Sequence, residues 1–203
     1  MHFSSRIFIP VIFFLFHSCT VSPNRNLFED YPPLTEKGQI NAVIEIPSGT
    51  NEKWEFDKSQ GILKWEEVNG RPRVIDYLGY PGNYGFVPKT LLDRKSGGDG
   101  DPLYVLVIGP PEERGTVVSC NLLGVLYLED SGEKDDKLIA VSEGSTLFNL
   151  KSISELDSLY PGVSDIIRIW FTSYKGPGVI STKGFGGREE AMEILKAAVE
   201  ACQ

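Results

Sequence analysis

The sequence predicts an α+β fold, a small closed β-barrel with helices packed beside it. Two patterns point there. From residue 40 to residue 141, short runs either alternate apolar with polar residues or are wholly apolar, and clusters of Gly, Pro and Asp separate them. After residue 152 the apolar period becomes that of a helix. Many short strands at this spacing favour a barrel, which closes its own edges. A third observation bounds the size: 203 residues, 41% hydrophobic and 11% aromatic, suffice for one full core, and no linker or low-complexity run divides them.

Taken in order, Ile40 to Pro47 reads as an extended apolar strand, and Lys53-Trp54-Glu55-Phe56-Asp57 alternates charge with aromatic, so one of its faces is polar. A turn over Asp57 to Gly61 leads to Ile62–Glu66. Tyr80-Pro81-Gly82-Asn83-Tyr84-Gly85-Phe86 reads as a turn-rich segment presenting tyrosines. Leu103–Ile108, Thr116–Ser119, Leu122–Leu128 and Lys137–Val141 are the next expected strands. Ser152-Ile153-Ser154-Glu155 is a capping-box pattern opening a short helix that Pro161 stops. Val163, Ile166, Ile167, Trp170, Phe171 and Tyr174 form the stripe of a second helix; Ala191, Ile194, Leu195, Ala198 and Val199 form that of a third. Both stripes are expected to pack on the barrel.

The amino terminus reads differently. An apolar run from Ile7 to Phe16, preceded by Arg6, has the length of a signal-peptide core and is too short to span a bilayer comfortably. Ser18-Cys19 follows it, so residues 1–18 are expected to be a signal peptide of lipoprotein type, with Cys19 lipidated. An ordinary secretory signal or an uncleaved anchor are the alternatives. Residues 19–38, with Tyr31-Pro32-Pro33, are expected to be a tether, and residues 39–203 the folded domain. The expectation is an exported protein, lipid-anchored in the bacterial envelope or periplasmic, touching membrane only through Cys19. Cys120 and Cys202 could pair in such a compartment or remain separate core thiols.

A net charge of −8 argues against a nucleic-acid surface, which needs a basic face. An acidic chain can still hold a polyanion where metal ions and local cations invert the field. Asp99-Gly100-Asp101 supplies two carboxylates at the mouth of the apolar strand Leu103–Ile108, with Gly100 letting the backbone aim both at one point. Asp130, Asp135, Asp136 and Lys137 cluster in a second turn. Paired acidic turns on neighbouring strand ends suit a hard divalent cation.

Asp99-Gly100-Asp101-Pro102 resembles the signature of the family I soluble inorganic pyrophosphatases. So do Val43-Ile44-Glu45-Ile46-Pro47, Lys53-Trp54-Glu55, Tyr80-Pro81-Gly82-Asn83-Tyr84-Gly85, the Asp130, Asp135, Lys137 loop and Tyr174-Lys175. The resemblance spans about residues 40 to 200. It implies a five-stranded OB-like barrel with flanking helices, and hydrolysis of inorganic pyrophosphate to two phosphates by a water activated on Mg²⁺. It further implies that Asp99, Asp130, Asp135 and Glu55 hold metal, with Glu45 in the outer shell, and that Asp101 is the general base. Lys53, Arg73, Tyr84, Lys137, Tyr174 and Lys175 would bind phosphate, with Arg71 competing with Arg73. Bacterial members are often compact homo-oligomers. One position departs: Tyr104 stands where the family has a third, metal-bridging Asp, and a neutral phenol is a poor Mg²⁺ ligand. Impaired turnover is therefore one expectation. A catalytically inactive envelope lipoprotein that binds phosphate, pyrophosphate or metal is the alternative.

Overall fold

Strand β1 (Ile40–Ile46) is buried along its whole length, as a strand enclosed on both faces must be. In the computed structural model, which describes residues 25–203, it opens a ring of hydrogen-bonded strands. β2 (Trp54–Asp57) and β3 (Ile62–Trp65) form a hairpin, and β4 (Glu67–Val68) and β5 (Arg71–Pro72) a smaller exposed one. β6 (Asn83–Phe86), β7 (Tyr104–Ile108), β8 (Val117–Asp130), β9 (Glu133–Lys134) and β10 (Lys137–Ser142) follow. The chain then runs through α1 (Ile153–Leu159), α2 (Val163–Ser173), β11 (Ile180–Gly186) and α3 (Arg188–Ala201).

Five strands close the ring in the order β1-β6-β7-β10-β8, with β8 pairing back onto β1. The sheet is mixed, because β7 and β10 run parallel while the other ring pairs are antiparallel. Strand alternation on β7 divides the core: Tyr104 and Leu106 join the cluster capped by α1 and α2, whereas Leu103, Val105 and Val107 join the one that receives Ala191, Leu195 and Ala198 of α3. β6 lies so close to β1 that a Cβ on Gly85 would stand 1.8 Å from the Val43 carbonyl oxygen, so only glycine fits.

Several expectations are corrected. Thr116–Ser119 and Leu122–Leu128 are parts of one 14-residue strand, β8, which carries a bulge at Leu123 where it passes β10. The segment read as turns at residues 80–86 ends in the fully buried strand β6. Strand β11 was absent from the sequence reading, since Ser181-Thr182-Lys183-Gly184 is polar and glycine-broken; its Lys183 bulges out of the pairing with β8. In α2, Ile166 is 60% exposed, so its stripe is narrower than the apolar spacing implies.

The cap of α1 forms: the Ser152 hydroxyl accepts from the Glu155 amide at 3.1 Å, while the Glu155 carboxylate reaches back to the Lys151 amide at 2.7 Å. Cys120 and Cys202 are both free thiols. The described part of the expected tether lies against the ring, with Phe28 stacked on Phe56 at 5.7 Å and the Asn41 amide donating to the Pro32 carbonyl. The signal segment 1–18 and Cys19 lie outside the described residues. Among those described, no helix is long and apolar enough to cross a membrane.

Candidate active site

One cleft of about 150 Å³ gathers ten of the twelve candidate residues: Lys53, Glu55, Arg73, Tyr84, Asp99, Asp101, Asp130, Asp135, Tyr174 and Lys175. Their segments are far apart in sequence, and the ring brings them together. Lys53 immediately precedes β2 and Glu55 lies within it, two residues apart, and their ammonium and carboxylate meet at 2.7 Å. Tyr84 comes from β6, Asp130 from the end of β8, and Tyr174 and Lys175 from the end of α2. Backbone bonds from the Lys53 amide to the Arg73 carbonyl, and from the Arg73 amide to the Glu66 carbonyl, carry Arg73 to the rim. Arg71 stays in the exposed β4–β5 hairpin and does not line the cleft.

The Asp99–Asp101 turn is built as its glycine implies. Gly100 adopts φ 82°, a conformation natural to glycine, and the Asp99 carboxylate accepts from the Asp101 amide at 2.8 Å. The Lys134 amide donates to the Gly97 carbonyl, which ties β9 and the second acidic turn to the first.

The remaining two candidates sit behind the wall. Glu45 occupies a bulge in β1, opposite β6, where the pairing slips between Ile44 and Ile46. The extra residue re-aims the side chain, so a carboxyl within a mostly apolar strand turns to β2, where its Oε1 accepts from the Phe56 amide at 2.8 Å. Its Oε2 has no partner among the described residues. Burial raises its pKa to about 8 against the ordinary 4.5, although the Lys53 ammonium opposes the shift, and Glu45 is therefore largely protonated at neutral pH. Lys137 is also buried; its ammonium pairs with Asp135 and lies 5.0 Å from the centre of the Tyr104 ring.

Cations and carboxylates interlock. Lys175 pairs with Asp130, Lys58 with Asp101 at 2.8 Å, and Arg73 grips both oxygens of Glu66 at 2.8 and 2.9 Å. Burial alone would push the Asp130 and Glu55 carboxyls up, but the Lys175 and Lys53 ammonium groups hold both below their usual values. Asp99 behaves oppositely: half-burial, followed by the Asp101 and Asp135 charges, raises it. Lys58 was missed by sequence reading, because only the β2–β3 hairpin brings it to Asp101, 43 residues away.

The far wall is aromatic. Tyr104 stacks on Tyr84 with centroids 5.3 Å apart and planes at 13°, and Tyr84 continues to Tyr80 at 5.0 Å. Trp170 stacks on Tyr174 at 4.7 Å. Burial pushes the phenols of Tyr80, Tyr84, Tyr104 and Tyr174 upward, so all four keep their protons and can donate. A larger cavity of about 540 Å³, bounded by Tyr127, Leu128, Thr182 and Lys183, contains none of the candidate residues.

The donor set suits a hard cation in kind, since among the described residues the cleft offers carboxylates and no His or Cys. Asp99, Asp130, Asp135 and Glu55 would hold it. Among the described residues no three His, Cys, Asp or Glu groups already form a cluster around one point. The lysine pairings account for this: Asp130 and Asp135 are turned to ammonium groups, and the residue at 104 adds no oxygen anion.

Comparison with known proteins gives a consistent picture. A family model described as inorganic pyrophosphatase matches residues 42–203. An inorganic pyrophosphatase of Campylobacter jejuni is 36% identical over 166 residues, 80% of this chain and 91% of the relative. One from Saccharolobus solfataricus has the same identity and coverage. Among solved structures, a type I inorganic pyrophosphatase from Toxoplasma gondii superposes with a TM-score of 0.80 at 30% identity, covering 85% of each chain. The Helicobacter pylori enzyme gives a TM-score of 0.72 at 36% identity, covering 86% of this chain and 99% of that one.

Proposed function

The chain belongs to the inorganic pyrophosphatase family and hydrolyses inorganic pyrophosphate, and from that premise we propose that the reaction takes place in the cleft between the two acidic turns. One observation carries the placement: ten candidate residues, drawn from strands, loops and a helix end, converge on a single cavity. In this reading the five-strand ring is the OB-like barrel implied by the sequence.

Splitting a phosphoanhydride in water requires neutralisation of a dense polyanion, an activated water and in-line geometry. Magnesium, when bound through Asp99, Asp130, Asp135 and Glu55, supplies counter-charge and a water of lowered pKa. The chain's own groups do the rest. Lys53, Arg73, Lys137 and Lys175 provide positive charge for phosphate oxygens, and when Glu55, Asp130 and Asp135 hold metal the ammonium groups of Lys53, Lys175 and Lys137 are released from them toward the anion. Tyr84 and Tyr174 donate hydroxyl protons to the same oxygens. Asp101, half-exposed at the cleft mouth, takes the proton of the attacking water.

Asp101→Asn tests the assignment. A general base is worth about 10²- to 10⁴-fold, so phosphate release should fall by at least a hundredfold in a variant whose thermal melt is unchanged. A variant retaining wild-type rate would remove Asp101 from the mechanism.

Tyr104 favours a second reading, a protein that binds pyrophosphate but turns it over slowly, because a phenol occupies a place within the acidic half of the cleft. We also propose that the chain is exported and lipid-anchored through Cys19, on the strength of its signal anatomy.

A further inference from the structure

Tyr104 is more than a missing carboxylate. Its ring is held by two contacts, the Tyr84 stack at 5.3 Å and the Lys137 ammonium at 5.0 Å, so the phenol is fixed in place rather than merely accommodated. It is 9% exposed, and what it exposes lines the cleft. Glu55, Asp99 and Asp101 line the same cleft.

The charge balance gives this placement a consequence. Six carboxylates line the cleft against four lysine and arginine groups. A seventh carboxylate at position 104 would deepen the negative field that a polyanion must enter, and cations from solution would have to offset it. A phenol adds no charge and offers an O–H donor, and it leaves the buried Lys137–Asp135 pair beside its ring intact.

We infer that Tyr104 is a substrate-binding residue whose hydroxyl donates to a phosphate oxygen of pyrophosphate, so that the anion is held with a smaller demand for divalent cation than a carboxylate at this position would impose. The inference rests on the pyrophosphate reading of this cleft. It assigns Tyr104 a role in binding and in cation demand, separate from turnover.

The test is calorimetric, using the full chain and methylenediphosphonate, a pyrophosphate analogue that is not hydrolysed, at a series of Mg²⁺ concentrations. Tyr104→Phe keeps the ring and its stack and removes only the donor. Its affinity should fall about tenfold, the loss expected for one hydrogen bond to a charged group. Tyr104→Asp should bind more weakly at low Mg²⁺, with a steeper dependence of log affinity on log Mg²⁺. Circular dichroism and thermal melts establish that each variant is folded, and Tyr104→Phe decides the matter alone if the aspartate variant does not fold. Unchanged affinity in Tyr104→Phe overturns the inference, as does an identical Mg²⁺ slope in a folded Tyr104→Asp. The outcomes separate from the catalytic reading: a wild type that binds the analogue through Tyr104 but releases no phosphate defeats turnover and leaves this inference standing. A wild type that hydrolyses pyrophosphate with Tyr104→Phe binding normally does the reverse.

Discussion

Replacing Glu45 by Gln should stabilise the protein at neutral pH and flatten its stability profile. The carboxyl lies at 0% exposure in the β1 bulge with one oxygen unpartnered among the described residues, and burial raises its pKa to about 8 from the ordinary 4.5. As pH rises through 4.5 the unfolded chain releases this proton while the folded chain keeps it, so the unfolded state binds fewer protons and stability falls. The loss continues until about pH 8, where the folded carboxyl ionises too. Each pH unit between these limits costs about 1.4 kcal/mol, which accumulates to roughly 3 kcal/mol by pH 7. That is a large share of the 5–15 kcal/mol typical of a domain. Glutamine keeps an oxygen for the Phe56 amide and has no charge to gain. Urea unfolding followed by tryptophan fluorescence, in EDTA at half-unit steps from pH 4.5 to 8, should show the variant matching wild type at the acid end and exceeding it by about 3 kcal/mol at pH 7. Parallel curves across this range would refute the reasoning, and would mean that Glu45 ionises in place with Lys53 as its counter-ion.

Other outcomes follow from the same cleft and from the amino terminus. At saturating Mg²⁺, Tyr104→Asp should raise the rate of pyrophosphate hydrolysis at least tenfold, which requires only about 1.4 kcal/mol of added transition-state stabilisation; a folded variant with no gain would show that the residue at 104 does not limit turnover. Adding Asp101→Asn in that background should abolish the gain. The exported mature form should begin at Cys19 and partition into detergent, and Cys19→Ala should move it to the aqueous phase; an unlipidated wild type, read by mass spectrometry of its amino terminus, would remove the anchor.

The parts of this molecule legible in sequence were those governed by local chemistry. Asp99-Gly100-Asp101 requires a positive φ at its centre and has it, and Ser152 caps α1 from three residues away. Helices α2 and α3 were announced by their period, although Ile166 shows that spacing marks a face without saying whether a neighbour covers it. What stayed hidden depends on distant chain. Strand β11 owes its existence to the edge of β8, which can recruit a polar, glycine-broken segment that no strand pattern would select. β6 lies within a Pro, Gly and Asn run because Gly85 is needed for contact with β1. Lys58 reads as a turn residue until the β2–β3 hairpin folds it onto Asp101, and Glu45 reads as a strand-end charge until a bulge turns it inward. The motif residues were found because each is chemically conspicuous; their division into cleft wall and buried support was not, since it is set by register.

Stoichiometric phosphate release by the purified full chain tests the central claim most directly. With pyrophosphate and Mg²⁺, two phosphates should appear for each pyrophosphate consumed, and EDTA should stop the reaction. Pyrophosphate recovered intact from the folded protein, with Mg²⁺ present and the anion demonstrably bound, would contradict the account and leave a binding protein in its place.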